Sequence, residues 1–120
     1  MAARVLTWER ARRARVDVIL VSGTAMRRLN RRATGRRALT DVISFTLPQP
    51  DGTVLGDVYI CPEAARQFAG PGVDEELTRL AVHGTLHILG YDHPAGAGRT
   101  RCAMWRVQER YMRRLGNGGR

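Results

Sequence analysis

All three histidines of this chain fall within one stretch of eleven residues, His83-Gly84-Thr85-Leu86-His87-Ile88-Leu89-Gly90-Tyr91-Asp92-His93. No other feature constrains the fold as much. His83 and His87 are four residues apart, so on a helix they point the same way, one turn apart. Asp74 is placed to cap that helix, which the pattern carries to about Leu89. Gly90 then sits where a left-handed C-terminal cap belongs, and the chain must turn back. His93 can approach the first two imidazoles from beyond that turn. At ~100° per residue, Leu77, Ala81, Val82, Thr85, Leu86, Ile88 and Leu89 fill one broad arc of the wheel. His83, His87 and Glu76 fall in the gap opposite, and Gly84 beside them leaves space.

Three converging imidazoles suit one zinc ion, with Zn–N near ~2.0–2.1 Å; imidazole suits nickel as well. The expected metal ligands are therefore His83, His87 and His93. Three neutral ligands leave a fourth position open, whereas structural zinc sites are usually closed by four ligands rich in cysteine. An open site favours a metal-bound water that ionises near neutral pH. Asp92 reads as a fourth ligand, an outer hydrogen-bond partner of an imidazole, or a turn residue; the last two are preferred. The same histidine spacing occurs in the metzincin proteases, which carry a glutamate after the first histidine as general base. That position is Gly84 here, so peptide hydrolysis by that route lacks its base. Cys61 and Cys102 form no CxxC pair and read as two reduced thiols.

The rest of the chain reads as alternating strands and helices around one sheet, an α/β fold in the broad sense, α+β in detail. Its 120 residues accommodate a single domain, residues 1–120. Ala2 to about Arg13 predicts a short helix, and Val16–Val21 a strand. Ser22 or Thr24 caps a helix to about Arg32. Arg31 to Leu39 reads as a basic loop around Gly35. Asp41–Leu47 alternates apolar and polar from Ile43 onward and predicts a strand. Pro48–Gly52 is a turn and Asp57–Cys61 a third strand. Pro62 opens a helix at its first turn, which Gly70-Pro71-Gly72 ends. A Gly-rich loop from Pro94 to Gly98 leads into a last helix, about Arg99 to Leu115, with Met104, Val107, Tyr111 and Leu115 as core.

The net charge is +9, and all 20 basic residues are arginine. Counted along the sequence, residues 1–40 carry +9, residues 41–98 carry −6 and residues 99–120 carry +6. A polyanion would meet the two basic ends, with the acidic middle holding something else. Arginine forks onto phosphate oxygens, so Arg31, Arg32, Arg36 and Arg37 are candidates to hold the phosphates of such a polyanion; a solvated charge run is the plainer reading. No apolar run approaches the ~18 residues that cross a bilayer, and the N-terminal stretch lacks the apolar middle of a secretory signal. No membrane partner is expected, and the cytoplasm is the expected compartment. No interleaved set of aromatics announces base stacking.

His83-Gly84-Thr85-Leu86-His87-Ile88-Leu89-Gly90-Tyr91-Asp92-His93 resembles the H-G-x-L-H-L-x-G-Y-D-H signature of the YbeY endoribonuclease family. Leu29-Asn30 with Thr40-Asp41-Val42-Ile43-Ser44-Phe45 resembles that family's L-N…T-D-V-L-S-F block. Leu55-Gly56-Asp57-Val58-Tyr59-Ile60-Cys61 resembles its L-G-D-I-x-I-C strand. The similarity runs from about Val16 to Leu115. It implies a small mixed β-sheet flanked by helices, with a zincin-like metal-binding helix and zinc on the three motif histidines. It implies a metal-dependent endoribonuclease acting on single-stranded RNA, in ribosomal RNA maturation and ribosome quality control, with ribosomal RNA and the small ribosomal subunit as partners. Members are usually longer and open with an additional strand for which this sequence shows no counterpart. Their loop after L-N usually reads Y-R-G-K-D-x-P, with a catalytic arginine. The aligned stretch here is Ala33 to Leu39, and Thr34 stands at the arginine position. Arg32, Arg36 or Arg37 could supply the charge from a shifted place. The rival reading is a non-catalytic ribosome-assembly factor that binds RNA or ribosomal protein around a structural metal.

Overall fold

The computed structural model describes residues 2–36, 38–69, 72–92, 98 and 102–116. Its elements are α1 (Ala2–Trp8), β1 (Ala14–Leu20), α2 (Gly23–Thr34), β2 (Val42–Pro48), β3 (Val54–Ile60), α3 (Pro62–Ala69), α4 (Val73–Ile88) and α5 (Ala103–Gly116). The three strands form one mixed sheet in the order β1-β3-β2. Strand β3 is central, parallel to β1 with Val18 beside Val58, and antiparallel to β2 with Ser44 beside Val58. This is the small mixed sheet flanked by helices that the sequence led us to expect.

Local chemistry accounts for most boundaries. The Ser22 side chain accepts the Ala25 N–H at 3.2 Å and caps α2. In the β2–β3 turn Asp51 Oδ1 accepts the Thr53 N–H at 2.9 Å, and Gly52 takes the left-handed φ of +86°. Helix α4 ends in a Schellman motif. Gly90, at φ +103°, donates its N–H to His87 O at 3.0 Å, and Tyr91 donates to Leu86 O at 3.0 Å.

Four expectations are corrected. Helix α1 stops at Trp8 rather than near Arg13. Arg10 adopts φ +57° and the Ala11 N–H reaches back to Leu6 O at 2.9 Å, so an arginine occupies the left-handed position that sequence patterns reserve for glycine. Helix α2 runs on to Thr34, so Arg31 and Arg32, where the expected helix and basic loop overlapped, lie in its last turn and the loop starts later. Strand β3 starts at Val54 and ends before Cys61, because Val54 and Leu55 pair with both neighbouring strands. Asp74 does not cap α4, which begins at Val73 after Gly72 with no side-chain cap. Asp74, Glu75 and Glu76 fill its first turn instead, where negative charge meets the positive end of the helix dipole. Of the last helix, residues 99–101 lie outside the described residues, as does most of the preceding Gly-rich loop.

Helix α4 is covered on several sides. Val82 and Leu86 pack with Val5 of α1 and with Met104, Tyr111 and Met112 of α5. Leu80, Ala81 and Ile88 pack with Val58 and Ile60 of β3 and Ala65 of α3. A third cluster joins Met26 of α2 to Cys61 and Ala64. The two cysteines form no disulfide.

The helix reaches the sheet through Gly84. A Cβ there would stand 2.5 Å from Val58 Cγ1 and 2.9 Å from Ser44 Oγ. The space expected beside the histidines is thus taken up by the sheet. We predict that Gly84→Ala destabilises the fold by about 1–3 kcal/mol through overpacking, despite the ~1 kcal/mol by which alanine favours a helix over glycine. Gly116→Ala is the control, since nothing lies within 4 Å of a Cβ at that position. Urea midpoints at unchanged slope measure both; a Gly84→Ala midpoint at or above that of the parent would contradict the packing account.

Candidate metal and RNA site

His83 and His87 do lie on one side of α4, with ring centroids 4.7 Å apart and planes at 81°. They are not on an open face. His83 is only 8% exposed. Both rings line a groove of about 470 Å³ between α4 and the edge strand β2, whose other walls are Thr40, Asp41, Val42, Ser44 and Thr46. His93 and Arg37 lie outside the described residues. Among the described residues, no group of three His, Cys, Asp or Glu side chains stands together as a metal site.

The strand wall explains a pattern in the sequence. Val42, Ser44 and Thr46 pair with Ile60, Val58 and Gly56, so all six face α4. On β3 that face is apolar or glycine because it meets the helix. On β2 it carries two hydroxyls because it fronts the groove. Alternation along Ile43–Leu47 therefore marks the site, with the polar members turned towards it. Sequence reasoning identified the strand but missed Thr40, Asp41, Ser44 and Thr46 as site residues.

His83 Nδ1 lies 2.7 Å from Gln108 Oε1. Gln108 is 1% exposed and comes from α5. Its Nε2 donates to Glu109 Oε2 at 3.0 Å. Glu109 in turn accepts from Arg79 Nε at 2.9 Å and Nη2 at 3.1 Å. Burial works against the Glu109 carboxylate, yet the hydrogen bonds from Arg79 and Gln108 outweigh it and hold its pKa below the ordinary value. Arg79 also bonds Glu76 at 3.0 Å and Glu75 at 3.3 Å. Glu76 is thereby engaged with Arg79, away from the imidazoles.

Thr34 is used structurally. Its Oγ1 lies 2.9 Å from both Asn30 O and Asn30 Oδ1 and accepts the Arg36 N–H at 3.2 Å. Asn30, 8% exposed, donates from Nδ2 to Ala38 O at 2.8 Å. Together they close the turn at Gly35, φ +77°, and lead the chain to Thr40 at the groove. Arg31 and Arg32 line a separate hollow of about 370 Å³ with Arg28, and Arg36 is exposed.

The segment after α4 is tied down by Glu9. One of its carboxylate oxygens accepts the Tyr91 hydroxyl at 2.7 Å and the other accepts the Tyr111 hydroxyl. This knot joins the end of α1, the turn leading to Asp92 and His93, and α5. The Glu9 hydrogen bond, burial and the Glu9 charge push the Tyr91 phenol up to about 12. Burial and the same carboxylate raise Tyr111. A phenol whose pKa is higher folded than unfolded adds stability that is fully present below ~10 and is lost as pH rises through the folded value. We predict falling urea midpoints from pH ~10 upward to about 12, with phenolate absorbance delayed over the same range. Glu9→Gln should flatten that fall and move the absorbance change back towards ~10; an unchanged titration would refute the knot.

A family model described as endoribonuclease YbeY matches residues 2–116. The chain is 40% identical over 116 residues to the endoribonuclease YbeY of Frankia casuarinae, covering 82% of this chain and 56% of that protein. It is 44% identical over 93 residues to the one from Anaeromyxobacter, covering 72% and 48%, and 43% identical over 89 residues to one from Helicobacter pylori, covering 72% and 63%. It therefore spans less than two thirds of the length of these relatives. The solution structure of a Thermotoga maritima protein superposes with a TM-score of 0.64 at 30% identity, covering 98% of this chain and 78% of that one.

Proposed function

The chain belongs to the YbeY family, and on that premise we propose that it is an endoribonuclease that uses zinc held by His83, His87 and His93 to cleave single-stranded RNA. The observation that carries the reading is the pair of imidazoles, 4.7 Å apart in a groove walled by hydroxyls and Asp41. The donor set fits the metal. Two rings one helical turn apart can share an ion at the ~2.0–2.1 Å that zinc–imidazole bonds require, and His83 has its second nitrogen engaged by an uncharged acceptor. A zinc ion bound there would supply Lewis acidity towards a phosphodiester oxygen. The chain's own groups do the rest. Ser44 and Thr46 on β2, with Thr40 just before it, offer hydrogen bonds to ribose and phosphate, and the α2 arginines Arg28, Arg31 and Arg32, with Arg36, attract the phosphate backbone. The natural substrate is ribosomal RNA during maturation and quality control, met on the small ribosomal subunit. Among the described residues no helix is long and apolar enough to cross a membrane.

Thr34 favours a second reading. Its hydroxyl is bound into the helix end, so no cation stands at the position where the family pattern has arginine. A chain that binds RNA through the arginines without cutting would retain this fold and its metal.

Cleavage decides between them. Zinc-loaded protein should cut single-stranded RNA, and His87→Ala should lower the rate by at least ~100-fold, the loss that even an outer partner of a metal ligand can cause. Equal cleavage by both proteins, or none by either, removes the nuclease reading. Arg31→Ala should weaken RNA binding evenly across sequences and reduce the salt slope by about one. An unchanged slope would take Arg31 out of the RNA surface.

A further inference from the structure

Gln108 is the buried side chain that meets the histidine groove from behind. It stands 25 positions after His83, on a different helix, and is 1% exposed. Its amide has two distinguishable ends. The carboxylate of Glu109 is held by Arg79 and accepts hydrogen bonds, so the amide nitrogen must face it, as the 3.0 Å contact has it. The amide oxygen is then turned to His83, 2.7 Å from Nδ1. An oxygen there can only accept, so Nδ1 must carry the proton. In a neutral imidazole the lone pair then belongs to Nε2. The relay is closed: Arg79 and His83, one turn apart on α4, are joined through Glu109 and Gln108 of α5.

We infer that Gln108 is a positioning residue that locks His83 in the Nδ1–H tautomer and so reserves Nε2 for metal. The second half rests on the zinc reading; the tautomer does not. The ordering runs inward from a charge. Arg79 fixes Glu109, Glu109 fixes the flip of the amide, and the amide fixes the ring. An uncharged amide does this without burying a second carboxylate beside Glu109.

The tautomer can be read in metal-free protein by long-range proton–nitrogen correlation NMR of labelled histidine, at a pH where the ring is neutral. The parent should show a protonated Nδ1 and an unprotonated Nε2 for His83. Gln108→Met, close in size but lacking the amide oxygen, should lose that preference. In chelator competition the Met variant should bind zinc about 10–100-fold more weakly than the parent. Two results overturn the inference: an Nε2–H tautomer in the parent, or an unchanged Nδ1–H tautomer in Gln108→Met. The first needs no variant to fold. Equal zinc affinity in parent and Met variant overturns the role towards metal. If the parent binds no zinc, the zinc reading fails alone, and the tautomer comparison still confirms or overturns the assignment of Gln108.

Discussion

Helix α4 lies against the sheet at a separation set by Gly84, where the backbone sits so close to Val58 and Ser44 that no side chain fits between. The same approach recurs one turn on: a Cβ at Gly56 of β3 would stand 2.4 Å from Ile88 Cδ1. Two glycines, one on each element, thus fix the height and rotation of the helix. That rotation places His83 and His87 along the groove beside β2. A helix standing further off would widen the groove and separate the rings from the hydroxyls of Ser44 and Thr46. The glycine that a protease-like reading would want as glutamate is therefore a packing residue in this fold.

Around that contact the structure keeps its polar groups paired. Among the described residues no buried side-chain nitrogen or oxygen lacks a partner. On the far side of α4, Arg79 gathers Glu75, Glu76 and Glu109, which turns part of the acidic middle of the sequence into a support for α5. The acidity read from the sequence as a holder of something else is in part a holder of Arg79. After α1, Glu9 collects two tyrosine hydroxyls and ties the turn after α4 to α5. Trp8 stacks on Tyr111 with centroids 5.1 Å apart, and Arg114 lies over Trp8 at 4.4 Å. The turn after α4 is thus secured at Tyr91.

What was legible in the sequence was whatever a short window records. Ser22 before a helix, Pro62 at its first turn and Gly90 after its last each act on neighbouring backbone groups, and each stands where its chemistry put it. The four-residue histidine spacing is equally local. What was not legible depends on partners far along the chain. Gln108 reads as one more polar residue on an amphipathic helix until His83 is placed against it. Thr34 reads as a lost arginine until its hydroxyl is seen closing the turn on Asn30. The early end of α1 escaped because Arg10, a residue with no turn signature, carries the positive φ. Ser44 and Thr46 look like the solvent side of a strand because alternation gives two faces and does not say which one borders a groove.

The central proposal is that the motif histidines hold one metal ion, with imidazole nitrogens as its protein ligands. X-ray absorption at the zinc edge of the zinc-loaded protein measures this directly. A histidine-held zinc should show nitrogen or oxygen scatterers at about 2.0–2.1 Å, with the outer-shell pattern of imidazole rings. Sulfur at about 2.3 Å, the distance of a cysteine thiolate, or a spectrum without imidazole scattering, would contradict it.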